Sequence, residues 1–318
     1  MTTRLVLVHA LSPLHAGTGQ SVGAIDLPIA RERPTGIPLV PGSSIKGALR
    51  ARSADREREH PADVSVPSTR VVFGPDTALA SEHAGAVQLS DAQVILLPVR
   101  SLAGTFAWVT SPFLLGRFAR DAHAAGIALP VVTSFLHPGT PDSSDVEHCL
   151  VVGSRLLLQA RVVLEDLDLA AEAVSADSPL ALYAEKLGLW LFPGASAADR
   201  SARESLVARL CLVPDDLMSF LLETATEVTA RIRLNETTKT VDRGALWTEE
   251  ALPTETVLCG LAVASRVERQ GSVWTGDQIL DHLATVAEGL VQLGGKATVG
   301  RGSCLIRWVS ESSTGGAA

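Results

Sequence analysis

Leu11–Arg52 reads LSPLHAGTGQSVGAIDLPIARERPTGIPLVPGSSIKGALRAR, and this stretch decides how the chain is read. From Ser12 to Pro41 it shows neither a helical nor a strand period. It nevertheless carries His15, Asp26, Arg31 and Arg33 among glycines and prolines. A structureless loop of that length inside a compact domain is uncommon, and is usually functional or disordered. The loop runs into Gly42-Ser43-Ser44-Ile45-Lys46-Gly47-Ala48-Leu49-Arg50. Ser43 or Ser44 can cap a helix there, and Lys46 and Arg50, four residues apart, share one helix face. Unpaired backbone N–H groups at a helix start, next to two cations, suit a phosphate. An irregular loop followed by an ordinary capped helix is the equally open alternative.

Outward from this stretch, Arg4 to Leu11 alternates and reads as a buried strand rather than a signal peptide. The helix is expected from Ser43 to about Ala54, followed by a charged, proline-interrupted segment over 54–70. Strands are expected over Val87–Pro98 and Phe106–Thr110, with a helix from Ser111 to about Ala125. A loop follows at 136–148, a strand over Arg155–Val163 and an alanine-rich helical region reaching Leu189-Trp190-Leu191. Helices over Ser201–Leu210 and Asp215–Ala225 flank Val213-Pro214.

Thr226 to Gly260 turns rich in Thr, Val, Arg and charge. The pattern predicts a hairpin leaving over Glu227–Asn235 and returning over Thr256–Arg266, so that 226–266 projects as a thumb. Thr275-Gly276-Asp277-Gln278 is a capping box. It opens an amphipathic helix with Ile279, Leu283, Val286, Leu290 and Leu293 inward, ended by Gly294. Ser303–Val309 closes as a strand, and 312–318 reads as a disordered tail. The order suits one α+β domain over 1–318 with helical insertions, and leaves other α+β arrangements open.

Composition narrows the function. Hydrophobic residues make up 46% of the 318, ample for a sizeable core, and no run of about 18 apolar residues could span a membrane. A cytoplasmic protein is expected. Cys149, Cys211, Cys259 and Cys304 form no CxxC pair, which argues against a zinc knuckle or a disulfide framework. A net charge of −8 argues against a free-standing nucleic-acid binder. The cations cluster, however: Arg31, Arg33, Lys46, Arg50 and Arg52; Arg231, Arg233, Lys239 and Arg243; Lys296, Arg301 and Arg307. A basic groove on an acidic body and solvated faces of mixed sign both fit. Aromatics are only 4%, which disfavours readout of single strands by stacking and favours holding a backbone.

Three motifs in order carry a resemblance. They are HAGTGQSVGAIDLPIARER with PGSSIKGALR, then Gly244-Ala245-Leu246-Trp247-Thr248-Glu249-Glu250-Ala251-Leu252-Pro253, then Gly294-Gly295-Lys296-Ala297-Thr298-Val299-Gly300-Arg301-Gly302. Together they resemble the repeat-associated (RAMP) superfamily. Within it they resemble the backbone-subunit family of type III-B CRISPR effectors, the fourth subunit of the Cmr complex. The resemblance implies a ferredoxin-like (RRM-like) β-α-β-β-α-β core. It implies an endoribonuclease that holds guide CRISPR RNA and cuts complementary target RNA at regular intervals. The implied partners are further copies of the chain in a head-to-tail filament and other Cmr subunits.

Asp26 is the leading catalytic candidate. A carboxylate in that loop could bind a divalent ion or orient an RNA 2′-hydroxyl, or could simply cap a turn through its own backbone. The resemblance favours cleavage, with Mg or Mn bound transiently at Asp26. His15 could act as acid, base or phosphate contact, or order the glycine loop; the resemblance implies a lesser role. Glu249 and Glu250 match the family's acidic pair, whereas Thr248 and Ala251 stand where aromatic neighbours are expected. A solvated acidic edge is the alternative for the pair. For RNA contact the candidates are Ser43, Ser44, Lys46, Arg50, Arg31, Arg33, Trp247, Lys239, Gly294, Gly295, Lys296, Gly300, Arg301 and Gly302. Trp247–Pro253 is expected to wedge between nucleotides. A silent RNA-binding subunit, a stand-alone guide-processing ribonuclease and a phosphate-binding metabolic enzyme are the rival readings.

Overall fold

The computed structural model describes residues 1–19, 25–60, 66–75, 83–132, 148–234, 237–238, 240–269 and 271–310, with only the backbone at 242–244. Lys239, the expected tail at 312–318 and most of the expected loop at 136–148 lie outside the described residues.

The first half runs β1 (Thr2–Ala10), β2 (Leu39–Val40), α1 (Gly42–Glu59), α2 (Thr69–Phe73), β3 (Val87–Leu89), β4 (Ala92–Ser101), β5 (Thr105–Thr110) and α3 (Pro112–Ala124). It continues with β6 (His148–Val152), β7 (Arg161–Leu164), β8 (Leu167–Val174), α4 (Pro179–Leu191), α5 (Ala197–Arg209), β9 (Leu210–Leu212) and α6 (Asp215–Thr224). Then come β10 (Glu227–Leu234), β11 (Val241–Ala251), β12 (Val257–Ala264), β13 (Val267–Arg269), β14 (Ser272–Trp274), α7 (Gly276–Val286), β15 (Leu290–Gln292) and β16 (Ser303–Val309).

The main sheet has the order β15-β16-β1-β12-β4-β5-β9-β6-β8-β7. Strand β1 lies at its heart, antiparallel to both β12 and β16. Its residues alternate between two cores, as the strand period requires. Val6, Val8 and Ala10 join a core with Ile45 and Leu49 of α1 and with Ile279, Leu280, Leu283 and Val286 of α7. Leu5 and Leu7 join the other, with Leu115 and Phe118 of α3 and with Leu187 of α4. Burial on both faces explains why LVLV reads as a continuous apolar run. Beyond β4 the sheet curls back on itself: Ser101 of β4 pairs with Leu164 of β7, closing a barrel-like ring. All four cysteines are buried thiols.

Several boundaries differ from the sequence reading. Neither Ser43 nor Ser44 caps α1. Pro41 holds that position, and the Gly42 N–H donates to the Asp91 carboxylate at 2.8 Å. A distant carboxylate therefore takes up part of the N-terminus expected to meet phosphate. The capping box of α7 forms as expected, but the helix ends at Val286. Gly289, at φ 76°, breaks it, and Leu290 starts β15. The strand expected over Arg155–Val163 starts only at Arg161. The return strand of the hairpin is Val241–Ala251, not 256–266, because 257–264 is the apolar strand that fills the sheet between β1 and β4. The described residues between Ser12 and Pro41 are tied down by single bridges: Leu14 to Leu252, Gly17 to Ile29, Leu27 to Glu249 and Arg31 to Pro38.

Candidate active site

The site is built around β11. Its residues pair directly with β10: Thr229 with Glu249, Ala230 with Thr248, Arg231 with Trp247 and Ile232 with Leu246. Directly paired residues point to the same side. One face of the hairpin therefore carries Ile232, Leu246, Ala230 and Thr248, and the other Arg231, Trp247, Thr229 and Glu249.

The first face is open. Ile232 is 52% and Leu246 66% exposed, with Val228 also out in solvent. The segment around Asp26 runs along the free edge of β11, where the Leu27 N–H donates to the Thr248 carbonyl and the Glu250 N–H donates to the Leu27 carbonyl. Asp26 is exposed and tied to Thr248 in both directions. The Thr248 N–H (2.8 Å) and Oγ1–H (3.0 Å) donate to Asp26 Oδ2, and the Asp26 N–H donates to Thr248 Oγ1 (3.0 Å). No cation pairs with this carboxylate among the described residues.

The second face is closed. Glu249 is buried and receives Lys296 Nζ at 2.8 Å and Trp247 Nε1 at 2.8 Å, with Arg231 Nε at 3.4 Å. Burial alone would raise its pKa, but the hydrogen bonds from Lys296 and Trp247 and the charges of Lys296 and Arg231 outweigh it. They hold the carboxyl at about 2. Glu250, which pairs with Val228 on the Thr248 side of the strand, is buried as well, at the base of the hairpin. Its carboxylate accepts from Arg31 at 2.5 Å, Thr226 at 3.0 Å and the Ile29 N–H at 3.1 Å. The solvated acidic edge is therefore absent: both glutamates are internal struts.

Arg31 is equally committed. Besides Glu250, it donates to the carbonyls of Gly36 and Leu222 at 2.9 and 3.0 Å. That leaves it holding the loop rather than facing a ligand. Its neighbour Glu32 receives both Nη atoms of Arg117, at 2.6 and 2.9 Å. Those bonds, with help from Thr35, hold the Glu32 carboxyl at about 2. Arg33 is exposed on the same turn.

His15 is buried and faces inward. Its Nδ1 lies 2.6 Å from the Glu250 carbonyl, so that nitrogen carries the proton. Its Nε2 faces Gly17, where a Cβ would come within 2.6 Å. The His15 carbonyl accepts from the Gly295 N–H at 2.9 Å. This geometry matches a histidine that orders the glycine loops.

Gly294 and Gly302 are forced by both space and torsion. Gly294 (φ 70°) would put a Cβ 2.3 Å from the His15 carbonyl oxygen, and Gly302 (φ 80°) one 2.0 Å from that of Leu293. Gly300 has φ 77° but open space around it. Between these loops and α1 lies an open groove of about 510 Å³, lined by Gly17, Ser44, Gly47, Ala48, Gly294 and Gly295 among others. Apart from Gln292, its walls are small side chains and backbone, a shape that admits a close-approaching chain. Lys46 and Arg50 sit half-buried on an adjacent part of α1, and Ser43 is exposed. Arg301 is 3.6 Å from Glu227 and 3.4 Å from Thr229, on the hairpin base. Arg52 and Arg56 donate to main-chain carbonyls after and at the end of α7, a capping role.

A model of the RAMP superfamily matches residues 7–305. The chain belongs to the RAMP superfamily. It is 31% identical over 316 residues to the CRISPR system Cmr endoribonuclease Cmr4 of Pyrococcus furiosus, with 99% of each chain covered. The crystal structure of oligomeric Cmr4 from that organism matches with a TM-score of 0.67 at 25% identity, covering 98% of this chain and 100% of the other. A chain of the type III-B Cmr-beta complex bound to cognate target RNA matches with a TM-score of 0.69 over 97% of both; at 20% identity this is a likeness of fold.

Within this RAMP chain, sequence reasoning names Asp26, the glutamate pair and the glycine loop as candidates, but does not join Arg231 to Glu249 or Thr248 to Asp26. Arg231 could have been found from the alternation of β10, which sets it opposite Trp247. Thr248 carried no signal beyond its departure from the expected aromatic residue.

Proposed function

We propose that the chain is a repeated backbone subunit of a type III-B CRISPR effector, which holds guide RNA and cuts the paired target RNA at regular intervals. Family membership supports the class, and the observation that carries the chemistry is Asp26: of Asp26, Glu249 and Glu250 it is the carboxylate that is exposed and has no cation partner among the described residues. It also sits at the edge of the hairpin's open apolar face. That face, rather than Trp247–Pro253, suits a wedge: Ala251 and Leu252 are buried, and Trp247 donates to Glu249 on the opposite side. Val228, Ile232 and Leu246 would part stacked bases and kink the target. A kink brings the 2′-oxygen in line with the leaving oxygen, a proximity effect.

In the proposed step, Asp26 accepts the proton of the 2′-hydroxyl as its oxygen attacks the adjacent phosphorus. The P–O5′ bond breaks, the leaving oxygen takes a proton from water, and a 2′,3′-cyclic phosphate remains. Among the described residues no group of three or more His, Cys, Asp or Glu could hold a metal ion. Any Mg or Mn ion would therefore rest on Asp26 and the phosphates of the RNA, a familiar arrangement for Mg, and would supply charge neutralisation. The open groove, with Lys46, Arg50 and the main chain of the Gly294–Gly302 loop, would hold the guide backbone, while Lys296 stays on Glu249. Copies would stack head to tail, a heterologous contact. The order β16-β1-β12-β4, antiparallel throughout, with α1 and α7 on one face, supports reading a ferredoxin-like core. The reading carries with it a cytoplasmic location.

The test is the effector reconstituted with guide RNA and labelled complementary RNA. Regularly spaced cuts that vanish in Asp26→Ala, with target binding intact, are expected. Unchanged cuts would move the active site elsewhere, and binding without cuts in the wild type would favour the silent subunit.

A further inference from the structure

We infer that Thr248 is the positioning residue for Asp26, an inference that rests on the cleavage role proposed for that carboxylate. An exposed aspartate samples several rotamers, and a general base must lie within hydrogen-bond reach of the proton it takes. Here the rotamer is fixed from one side. Thr248 gives two donors, its N–H and its hydroxyl, to the same oxygen, Oδ2, at 2.8 and 3.0 Å. The hydroxyl oxygen also accepts the Asp26 N–H at 3.0 Å, so one side chain clamps both backbone and carboxylate of the same residue. The clamp is built on β11, whose pairing with β10 on one edge and Leu27 on the other makes it rigid. Both bonds to the carboxylate end on Oδ2, which leaves Oδ1 as the oxygen that meets the 2′-hydroxyl. The side chain of Thr248 shares its face with Ile232 and Leu246, so the clamp aims the carboxylate toward the side on which the target would be splayed.

The experiment compares wild type, Thr248→Val, Thr248→Ser, Asp26→Ala and the Asp26→Ala/Thr248→Val double variant in the reconstituted complex. Single-turnover cleavage at saturating target is read beside target affinity. Valine keeps the shape, the strand preference and the main-chain N–H, and removes only the hydroxyl. Thr248→Val is expected to slow cleavage roughly 10- to 100-fold, the scale of a misplaced catalytic group, with target affinity unchanged. Thr248→Ser should restore the rate, and the double variant should cut no more slowly than Asp26→Ala alone. Wild-type cutting by Thr248→Val beside a dead Asp26→Ala would overturn the positioning role and leave the Asp26 reading intact. A Thr248→Ser as slow as Thr248→Val would also overturn it, since the hydroxyl would then not be the cause. Wild-type cutting by Asp26→Ala would overturn both.

Discussion

Two regions around one strand, its free edge and its packed surroundings, treat their carboxylates in opposite ways. On the edge of β11, Asp26 is exposed and, among the described residues, is held by neutral donors from Thr248. Inside, Glu249 and Glu250 are buried against Lys296, Arg231 and Arg31. All three acids are catalytic candidates in the sequence, with Asp26 leading. Environment separates them: a carboxylate saturated by cations is a strut, whereas one fixed by neutral hydrogen bonds with an oxygen to spare is available for chemistry.

The contrast breaks most sharply at Asp26. Asp26→Ala is expected to lose about 10²- to 10⁴-fold in cleavage, the usual worth of a general base, while thermal stability stays close to wild type. Glu250→Ala should do the reverse to the fold. Leaving Arg31 and the Ile29 N–H without their partner is expected to cost about 3–5 kcal/mol in urea unfolding, as when one member of a buried pair is removed. The glycine loop offers an internal control. Gly302→Ala combines positive-φ strain of about 1–2 kcal/mol with the overpacking set by the Leu293 carbonyl, whereas Gly300→Ala should show the strain alone. Unfolding midpoints of the two variants would separate these terms.

The subtlest effect is the pH dependence of Glu249. Its folded value, about 2, lies below its ordinary 4.5. The stabilisation from its ion pairs is therefore complete above about pH 4.5 and lost as pH falls toward 2. The stability difference between wild type and Glu249→Gln should stay flat from neutral pH down to that point and shrink below it. A difference that grows on acidification would contradict the strut.

Local signals in the sequence were read correctly where local physics decides. The capping box at Thr275 starts α7, and the short apolar run within Arg4–Leu11 marks β1. They failed where a distant partner decides. Asp91, 49 residues from Gly42, takes the N–H that Ser43 or Ser44 was expected to cap beside. Leu290 and Leu293 keep the helical spacing of α7, yet the chain turns at Gly289, with its positive φ, and Leu290 begins β15. In the sequence, the apolar strand after the turn-rich segment reads as a hairpin arm, which puts the return at 256–266. Only the sheet order shows it as the neighbour of β1. In the site, Asp26 and the glycine loop were legible as motifs. The commitment of Arg31, His15 and the two glutamates to the protein itself was not, because it depends on contacts spanning more than 200 residues for Arg31–Glu250 and His15–Glu250.

The most direct measurement sets Asp26→Ala beside Glu249→Gln in the assembled effector, with cleavage rate and target affinity read on the same preparations. The account predicts that Asp26→Ala binds target and does not cut, while Glu249→Gln, once assembled, cuts at a rate near wild type. Cutting by Asp26→Ala, or loss of cutting in a fully assembled, target-bound Glu249→Gln complex, would contradict it.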